Sequence, residues 1–497
     1  MRILIGADTY APHVNGAAAF AQRLAVALTV RHEVHVAVPS TGYRSSTGMT
    51  RDGVVEHRVR SLPMPGHPGF RFCAPLGLRA EARRILDEVQ PDVLHVQSHF
   101  PLCRALIEAA RSRKILIVAT NHFMPENLVH YLPIGEAARL SVHGWAWRDA
   151  ARVFALADVV TAPTPYAAAL ATVAGVPGPV LPISNGVDLA RFRSHTETGS
   201  QVDGGSQAGV SASFETGSRA GTGSWAEAGS RAESGSQAGS GSPAGVGSCV
   251  GTGSRAETDS QPGFVSPAEV GSWAGTGSRT EGGSHVGVGS RAEIGSRSEI
   301  GEFRLRYGVP DKPAITYVGR LDAEKNLDVV IRAFAKVRAS MDAQLLLVGA
   351  GAERPKLSEL AAEMNISEHV TFTGFVPDED LPSAYAATTV FVNAGTAELQ
   401  SLVTLEAMAS GRPVVGADAA ALPHLVENGG TGYLFPPGDS DALADRLMLL
   451  LGDPQHAQAL GRKARAVAEQ HDESRTVAAF EQLYAIRRAP APAEVPA

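Results

Sequence analysis

The sequence predicts an α/β protein made of two Rossmann-like domains with an interruption between them, and three observations predict it. Short apolar runs (Ile3–Ile5, Glu33–Val38, Asp92–Gln97, Ile115–Ala119) alternate with helical stretches (Leu78–Val89, Pro101–Arg111, Pro165–Val173), the pattern of a parallel sheet covered on both faces. The alternation stops at about residue 194, where a degenerate Gly-Ser-Ala-Glu-Arg tract runs to residue 300. It resumes from Phe303 with Ile315–Val318, Leu327–Val337, Leu345–Val348, Val370–Phe372 and Val390–Asn393. The expected organisation is therefore one domain over 1–193, a disordered Gly/Ser-rich linker over 194–300, a second domain over 301–473 and a final helix over 474–490.

A chain of 497 residues has room for two or three such domains. At 44% hydrophobic and 19% charged it is an ordinary globular composition, and the formal net charge of −7 argues against nucleic acid as a partner. Cys73, Cys103 and Cys249 have no paired spacing, so neither a disulfide framework nor a zinc site is expected. The opening MRILIGAD enters a strand without the charged and apolar regions of a signal peptide, and no run of about 18 apolar residues follows. The expected location is cytoplasmic.

Taken in order, strand Ile3–Ile5 ends at Gly6, loop Ala7–Gly16 follows, and a small-residue helix runs from Ala17 to Val30. Strand, glycine loop and helix open a βαβ unit whose helix start can receive an anionic or sugar group, although a lone Gly16 also fits a tight turn. Ligands of such sheets gather at the C-terminal ends of strands. That rule picks out Gln97-Ser98-His99 and Thr120-Asn121-His122-Phe123. His95 and His99 stand on a strand and its exit rather than on one helix, which is not the arrangement of a metal-binding pair. A helix near Ala137–Leu156, strand Val159–Thr161, helix Pro165–Val173, strand Val180–Ile183 and an Asn185-Gly186 turn complete the domain. The tract that follows has too few apolar residues to offset its ordering entropy, and Trp225 and Trp273 stand isolated in it. Looping it out costs little because closure entropy grows only logarithmically with length.

In the second domain, Arg320 and Lys325 lie on the loop between strand Ile315–Val318 and helix Leu327–Val337, where two cations can straddle a diphosphate. A solvated loop would carry the same residues. Asp378-Glu379-Asp380 follows Pro377 and opens a helix, so N-terminal capping accounts for it. No DxD stands at a strand end, and metal-free chemistry is expected. Helices over Asp441–Leu451, Gln455–Gln470 and Ser474–Arg488 close the chain.

The stretch Gly395–Val415, GTAELQSLVTLEAMASGRPVV, reads as a turn, a helix from about Gln400 to Ser410, a Gly411 C-cap and a Pro-led strand. Glu398 precedes the helix and can reach over a cleft. Glu406 sits among Leu405, Ala407, Met408 and Ala409, where a carboxylate requires hydroxyls or amides as partners. Glutamates at helix starts are also common simply because they suit the macrodipole. Two carboxylates facing one pocket suit a ligand with two sets of hydroxyls.

Glu398 through Gly411 resembles the signature of retaining GT-B glycosyltransferases of family 4. So do Gly319-Arg320-Leu321-Asp322-Ala323-Glu324-Lys325-Asn326, the string Asn185–Phe192 at the exit of the first domain, and the glycine turn Gly349–Glu353. The loop ATNHFMPENL is similar to the acceptor-side loop of members that glycosylate diacylglycerol-type lipids. One departure is Leu399-Gln400-Ser401, where many members have Phe-Gly. The resemblance implies a GT-B fold, two Rossmann-like domains facing each other across a cleft, with the last helix crossing back onto the first. It implies that Glu398 contacts the donor sugar, Glu406 holds the ribose, Arg320 and Lys325 hold the leaving diphosphate, and His122 points at the donor sugar. His122, Arg320, Lys325 and Glu398 are thus the expected catalytic residues. Donor contacts are expected from Gly16, Gly349, Gly374, Phe375, Val376, Leu399, Gln400, Ser401, Leu402 and Glu406, with base contacts through main chain. Asn15, Gln97, Asn121 and His122 are expected on the acceptor side, and no cofactor or metal.

The reading is a retaining transferase moving glucose or mannose from a nucleoside diphosphate sugar to a lipid or glycan acceptor. A GT-B sugar-nucleotide 2-epimerase is the alternative. Residues 1–190 carry a charge balance of +4 and residues 301–497 one of −8. A mildly basic first domain, with Arg79, Arg83 and Arg84 on one helix and Trp145 and Trp147 on another, suits visits to an anionic membrane at its inner face, although solvated faces and core aromatics read the same way.

Overall fold

The computed structural model describes residues 1–13, 15–64, 67–125, 135–193 and 291–486. The tract expected as a linker lies outside them as far as residue 290, as do Glu126–Leu128 of the acceptor-side loop and residues 487–490 of the last expected helix.

The first lobe comprises β1 (Arg2–Gly6), α1 (Gly16–Thr29), β2 (Glu33–Pro39), β3 (Ser46–Met49), β4 (Val55–Val59), β5 (Leu62–Met64), β6 (His67–Phe72), α2 (Leu78–Val89), β7 (Val93–Val96), α3 (Pro101–Ala110), β8 (Leu116–Thr120), α4 (Glu136–Phe154), β9 (Val159–Ala162), α5 (Pro165–Val173) and β10 (Val180–Pro182). Eight strands form one sheet in the order β10-β9-β8-β7-β1-β2-β4-β3, parallel except where β3 returns antiparallel to β4. Alternate residues of β1 enter opposite cores: Leu4 packs with α2, α3 and α5, while Ile3 and Ile5 pack with Phe20, Leu24 and Leu28 of α1. Strands β3 to β6 have no counterpart among the expected elements. β3 is exposed along its whole length, so no apolar alternation announces it.

The second lobe comprises α6 (Arg291–Tyr307), β11 (Ala314–Val318), α7 (Leu327–Arg338), β12 (Gln344–Val348), α8 (Arg354–Glu363), β13 (Val370–Gly374), α9 (Leu381–Ala386), β14 (Val390–Asn393), α10 (Leu402–Ala409), β15 (Val414–Ala417), β16 (Gly432–Phe435), α11 (Ser440–Gly452) and α12 (Pro454–Gln470), and α13 (Glu473–Tyr484) follows it. Its sheet runs β13-β12-β11-β14-β15-β16, all parallel.

Three expectations need correction here. Helix α6 begins at Arg291, inside the stretch assigned to the linker through residue 300: its C-terminal turns dock through buried Phe303, and a docked helix extends backward at little cost. Helix α8 and strand β16 were absent from the expected elements; β16 starts at a glycine that reads as a turn, but a Cβ on Gly432 would lie 1.9 Å from the Val414 carbonyl oxygen. The three acids Asp378–Asp380 do stand at a helix start, but Asp380 makes no side-chain cap bond and instead accepts from Arg306 at 2.7 Å and Tyr307 at 2.8 Å.

Two passes of chain join the lobes and pair with each other. Val187 donates to the His471 carbonyl at 2.8 Å and Glu473 donates to the Val187 carbonyl at 3.1 Å. Gly186 takes φ 72° there, and a Cβ on it would lie 2.8 Å from Thr476 Oγ1. Helix α13 then lies on the first lobe. Its Phe480 meets Phe20 with ring centroids 6.0 Å apart, and Glu481 holds Arg31 at 2.6 Å and His32 at 2.9 Å.

Candidate active site

The parallel sheet of the second lobe brings Gly319, Gly349 and Gly374 together at the ends of β11, β12 and β13. Gly319 donates to the Val348 carbonyl at 2.9 Å and Gly349 to the Gly374 carbonyl at 3.0 Å. Beyond Gly374, Phe375 is 61% exposed, whereas the Val376 side chain is buried in the core, leaving only its main chain for a ligand. The loop after Gly319 is stitched to the one after β14, because Asn326 donates to the Ala394 carbonyl at 3.0 Å and to Thr396 Oγ1 at 3.4 Å.

That stitching carries Lys325 to Glu398. The ammonium donates to Glu398 Oε1 at 2.8 Å, with both side chains 15% exposed. Arg320 is held by buried acids: it bonds Asp322 and, at 2.6 Å, Glu324, and its own side chain stays 28% exposed. Glu406, one turn before the end of α10, accepts from the Tyr385 hydroxyl at 2.7 Å. Burial pushes its carboxyl above the usual range, against the Tyr385 hydrogen bond and the charges of Arg23 and Arg191, which pull it down. The sequence reading missed Asp322, Glu324, Asn326 and Tyr385. The two acids stand two and four places after Arg320, a spacing that could have signalled them.

The residues on either side of Glu398 face the lobe interface. Ala397 and Leu399 belong to the apolar core of the first lobe, and the Leu399 carbonyl accepts from Thr164 Oγ1 at 2.8 Å. Gln400 accepts from the Asn185 N–H at 2.7 Å and donates to Ser184 Oγ at 2.9 Å. Ser401 caps α10, accepting from the Thr404 N–H at 3.3 Å and from Asn393 at 3.0 Å. Leu402 looks across at Gly16, on which a Cβ would lie 3.7 Å from Leu402 Cδ1. Leu399, Gln400 and Ser401 therefore use their side chains to join lobes or cap a helix. Replacing Gln400 by Ala strands the buried Asn185 N–H and should cost about 1–3 kcal/mol in a urea unfolding midpoint; an unchanged midpoint would show the bridge to be idle.

On the facing wall, Asn15 caps α1 by accepting from the Ala18 N–H at 2.9 Å, and Asn121 accepts from the Phe123 N–H at 3.1 Å. The amide nitrogens of both are buried with no partner among the described residues. His122 lies against Phe20, one helical turn beyond Gly16, with ring centroids 5.1 Å apart. Its Nε2 is 2.8 Å from Gln97 Oε1, and burial pulls the imidazole down to about 3, so the ring is neutral.

Two parallel-sheet lobes in one unit, with polar loops at the strand ends of both, define a GT-B fold. Solved structures agree in fold: sucrose-phosphate synthase from Thermosynechococcus elongatus (TM-score 0.63, 19% identity, 97% of this chain and 98% of that one) and Anabaena HepE in complex with UDP-glucose (TM-score 0.63, 17% identity, 97% and 99%). The family model "Glycosyl transferases group 1" matches residues 302–467 and "Glycosyltransferase Family 4" matches residues 14–191, together more than half of the chain. The chain belongs to the GT-B glycosyltransferases of family 4. Curated relatives include the sulfoquinovosyl transferase SQD2 of Arabidopsis thaliana, 35% identical over 35% of this chain and 34% of that protein. Another is the GDP-mannose-dependent alpha-(1-6)-phosphatidylinositol monomannoside mannosyltransferase of Mycolicibacterium smegmatis, 36% identical over 33% and 44%. The chain spans about a third to a half of the length of the curated relatives it matches.

Proposed function

We propose that this chain transfers a hexose, glucose or mannose, from a nucleoside diphosphate sugar to a lipid or glycan acceptor with retention and without a metal. The observation that carries the reading is the Lys325–Glu398 contact beside the three converging glycines. A cation for the leaving diphosphate and an acid for sugar hydroxyls stand together at strand ends, where parallel sheets bind ligands. Arg320 and the start of α10 would add charge stabilisation, Glu406 would take the ribose, Phe375 would lie by the base, and His122 would meet the sugar. The orphaned amides of Asn15 and Asn121 suit hydroxyl or phosphate partners on the acceptor side. Its likeness to a GDP-mannose-dependent alpha-(1-6)-phosphatidylinositol monomannoside mannosyltransferase favours a lipid-linked acceptor.

Thermal melting with UDP- and GDP-sugars tests the donor: one base should raise the melting temperature, and no response to any of them would refute the reading. With that donor, transfer should persist in EDTA and keep the anomeric configuration of the donor, and turnover without acceptor would point to epimerisation instead. Among the described residues no helix is long and apolar enough to cross a membrane. A cytoplasmic, peripheral placement is the matching proposal, supported by Leu140 and Trp145 exposed on α4 and Leu76 exposed before α2. Trp147 is buried, and Arg84 and Arg79 are already paired with Glu81, Glu88 and Glu108, so those residues add little. The protein should sediment with anionic but not neutral liposomes; equal recovery in both supernatants would remove the membrane from the proposal.

A further inference from the structure

A hydrogen-bonded chain runs from His122 through the buried interior of the first lobe to the helix that returns from the second. His122 Nε2 meets Gln97 Oε1 at 2.8 Å, Gln97 Nε2 meets His95 Nε2 at 3.2 Å, and His95 Nδ1 meets the Tyr484 hydroxyl at 2.7 Å. Thr120 Oγ1 also reaches His95 Nε2 at 2.7 Å and is backed by Thr161 Oγ1 at 2.7 Å. His95, Thr120 and Thr161 have no exposed surface, Gln97 is 2% exposed and Tyr484 4%. Phe480 closes over the His95 ring at 4.8 Å between centroids.

An amide has one end that only accepts and one that only donates, so it cannot satisfy two neutral imidazoles without choosing their tautomers. The Gln97 oxygen requires a proton on His122 Nε2. The Gln97 nitrogen requires a bare His95 Nε2, so the His95 proton sits on Nδ1 and is donated to the Tyr484 oxygen. Both rings are neutral, since burial brings His95 as well down to about 3. His122 Nδ1 makes no hydrogen bond among the described residues, and the residue is only partly buried. A half-turn of the Gln97 amide would reverse every bond: Tyr484 would donate to His95, and His122 would turn Nδ1–H outward.

We infer that the Gln97 amide sets the tautomer of His122 and that Tyr484, by accepting from His95, is a positioning residue that helps hold it, leaving the His122 Nδ1 lone pair as an acceptor for a substrate hydroxyl. Nothing local to His122 reveals this, because His95 and Tyr484 are 389 residues apart. Docking of α13 would thereby set what His122 offers to substrate. What Nδ1 meets rests on the proposed function; the tautomer does not.

Nitrogen-15 NMR of the full chain labelled at histidine, with His122 assigned through His122→Asn, reads the tautomer without any ligand. The Nε2–H form is expected, and an Nδ1–H signature would overturn the inference. Tyr484→Phe removes the oxygen that accepts from His95, and should move His122 toward Nδ1–H and lower kcat about tenfold with little change in KM, the size of one lost hydrogen bond. In a Gln97→Met background the same change should leave His122 unmoved. A Tyr484→Phe chain that melts normally with unchanged His122 resonances would sink the relay, as would an equal shift in both backgrounds. If Tyr484→Phe does not fold, the native tautomer still decides. If no nucleoside diphosphate sugar binds while the tautomer is as stated, the proposed function fails and this inference stands.

Discussion

Lys325→Ala and Glu398→Ala are each expected to lower kcat/KM for glycosyl transfer by about 10²–10³, the loss measured when one preorganised charge-stabilising group is removed from an active site. The two side chains are each other's partner at 2.8 Å, so either substitution also leaves a partly buried charge without its counter-ion. Groups that act as one unit are not additive, and the double variant should lose little more than the worse single one. Steady-state transfer rates beside a melting curve separate the chemistry from the fold. Full activity in both single variants would remove these residues from the mechanism.

Gly349→Ala should be strongly destabilising, by about 4 kcal/mol or more. A Cβ there would lie 2.0 Å from the Gly319 carbonyl oxygen and 3.0 Å from its carbon, at φ 134°. Both obstacles are backbone. Neither can move aside, because Gly319 is bonded to Val348 and Gly349 to Gly374 on the adjoining strand ends. The expected readout is a large fall in urea midpoint together with loss of donor protection. Gly16→Ala is the control: its Cβ would meet only Leu402 Cδ1 at ordinary contact distance, and the midpoint should hardly move. Equal midpoints for the two variants would contradict the close-approach argument.

Local signals were enough for most elements and for the loops that carry Lys325 and Glu398. Strands such as Val390–Asn393 are short apolar runs that no helix could use, and helices such as Leu78–Val89 and Pro165–Val173 match their sequence limits residue for residue. Glu398 and Lys325, read from separate motifs, do come together. The acids around Arg320 lay within reach of the same reading. Leu399, Gln400 and Ser401 could not be placed from sequence, since whether a side chain faces a ligand, a helix cap or another lobe depends on what folds opposite it. Gln400 finds Ser184 and Asn185 more than two hundred residues away. Strand β3 was silent for a different reason: it buries nothing and therefore carries no pattern.

The sequence by itself determined the two alternating lobes, the break between them and the loops that carry the charged groups, because periodicity and turn chemistry act over a few residues. Only the tertiary structure decided partners: Glu398 for Lys325, Tyr385 for Glu406, the first lobe for Leu399, and Tyr484 for His95. Those choices are made by parallel strand order and by the return of α13 across the first lobe, long-range contacts that leave no trace in the spacing of neighbouring residues.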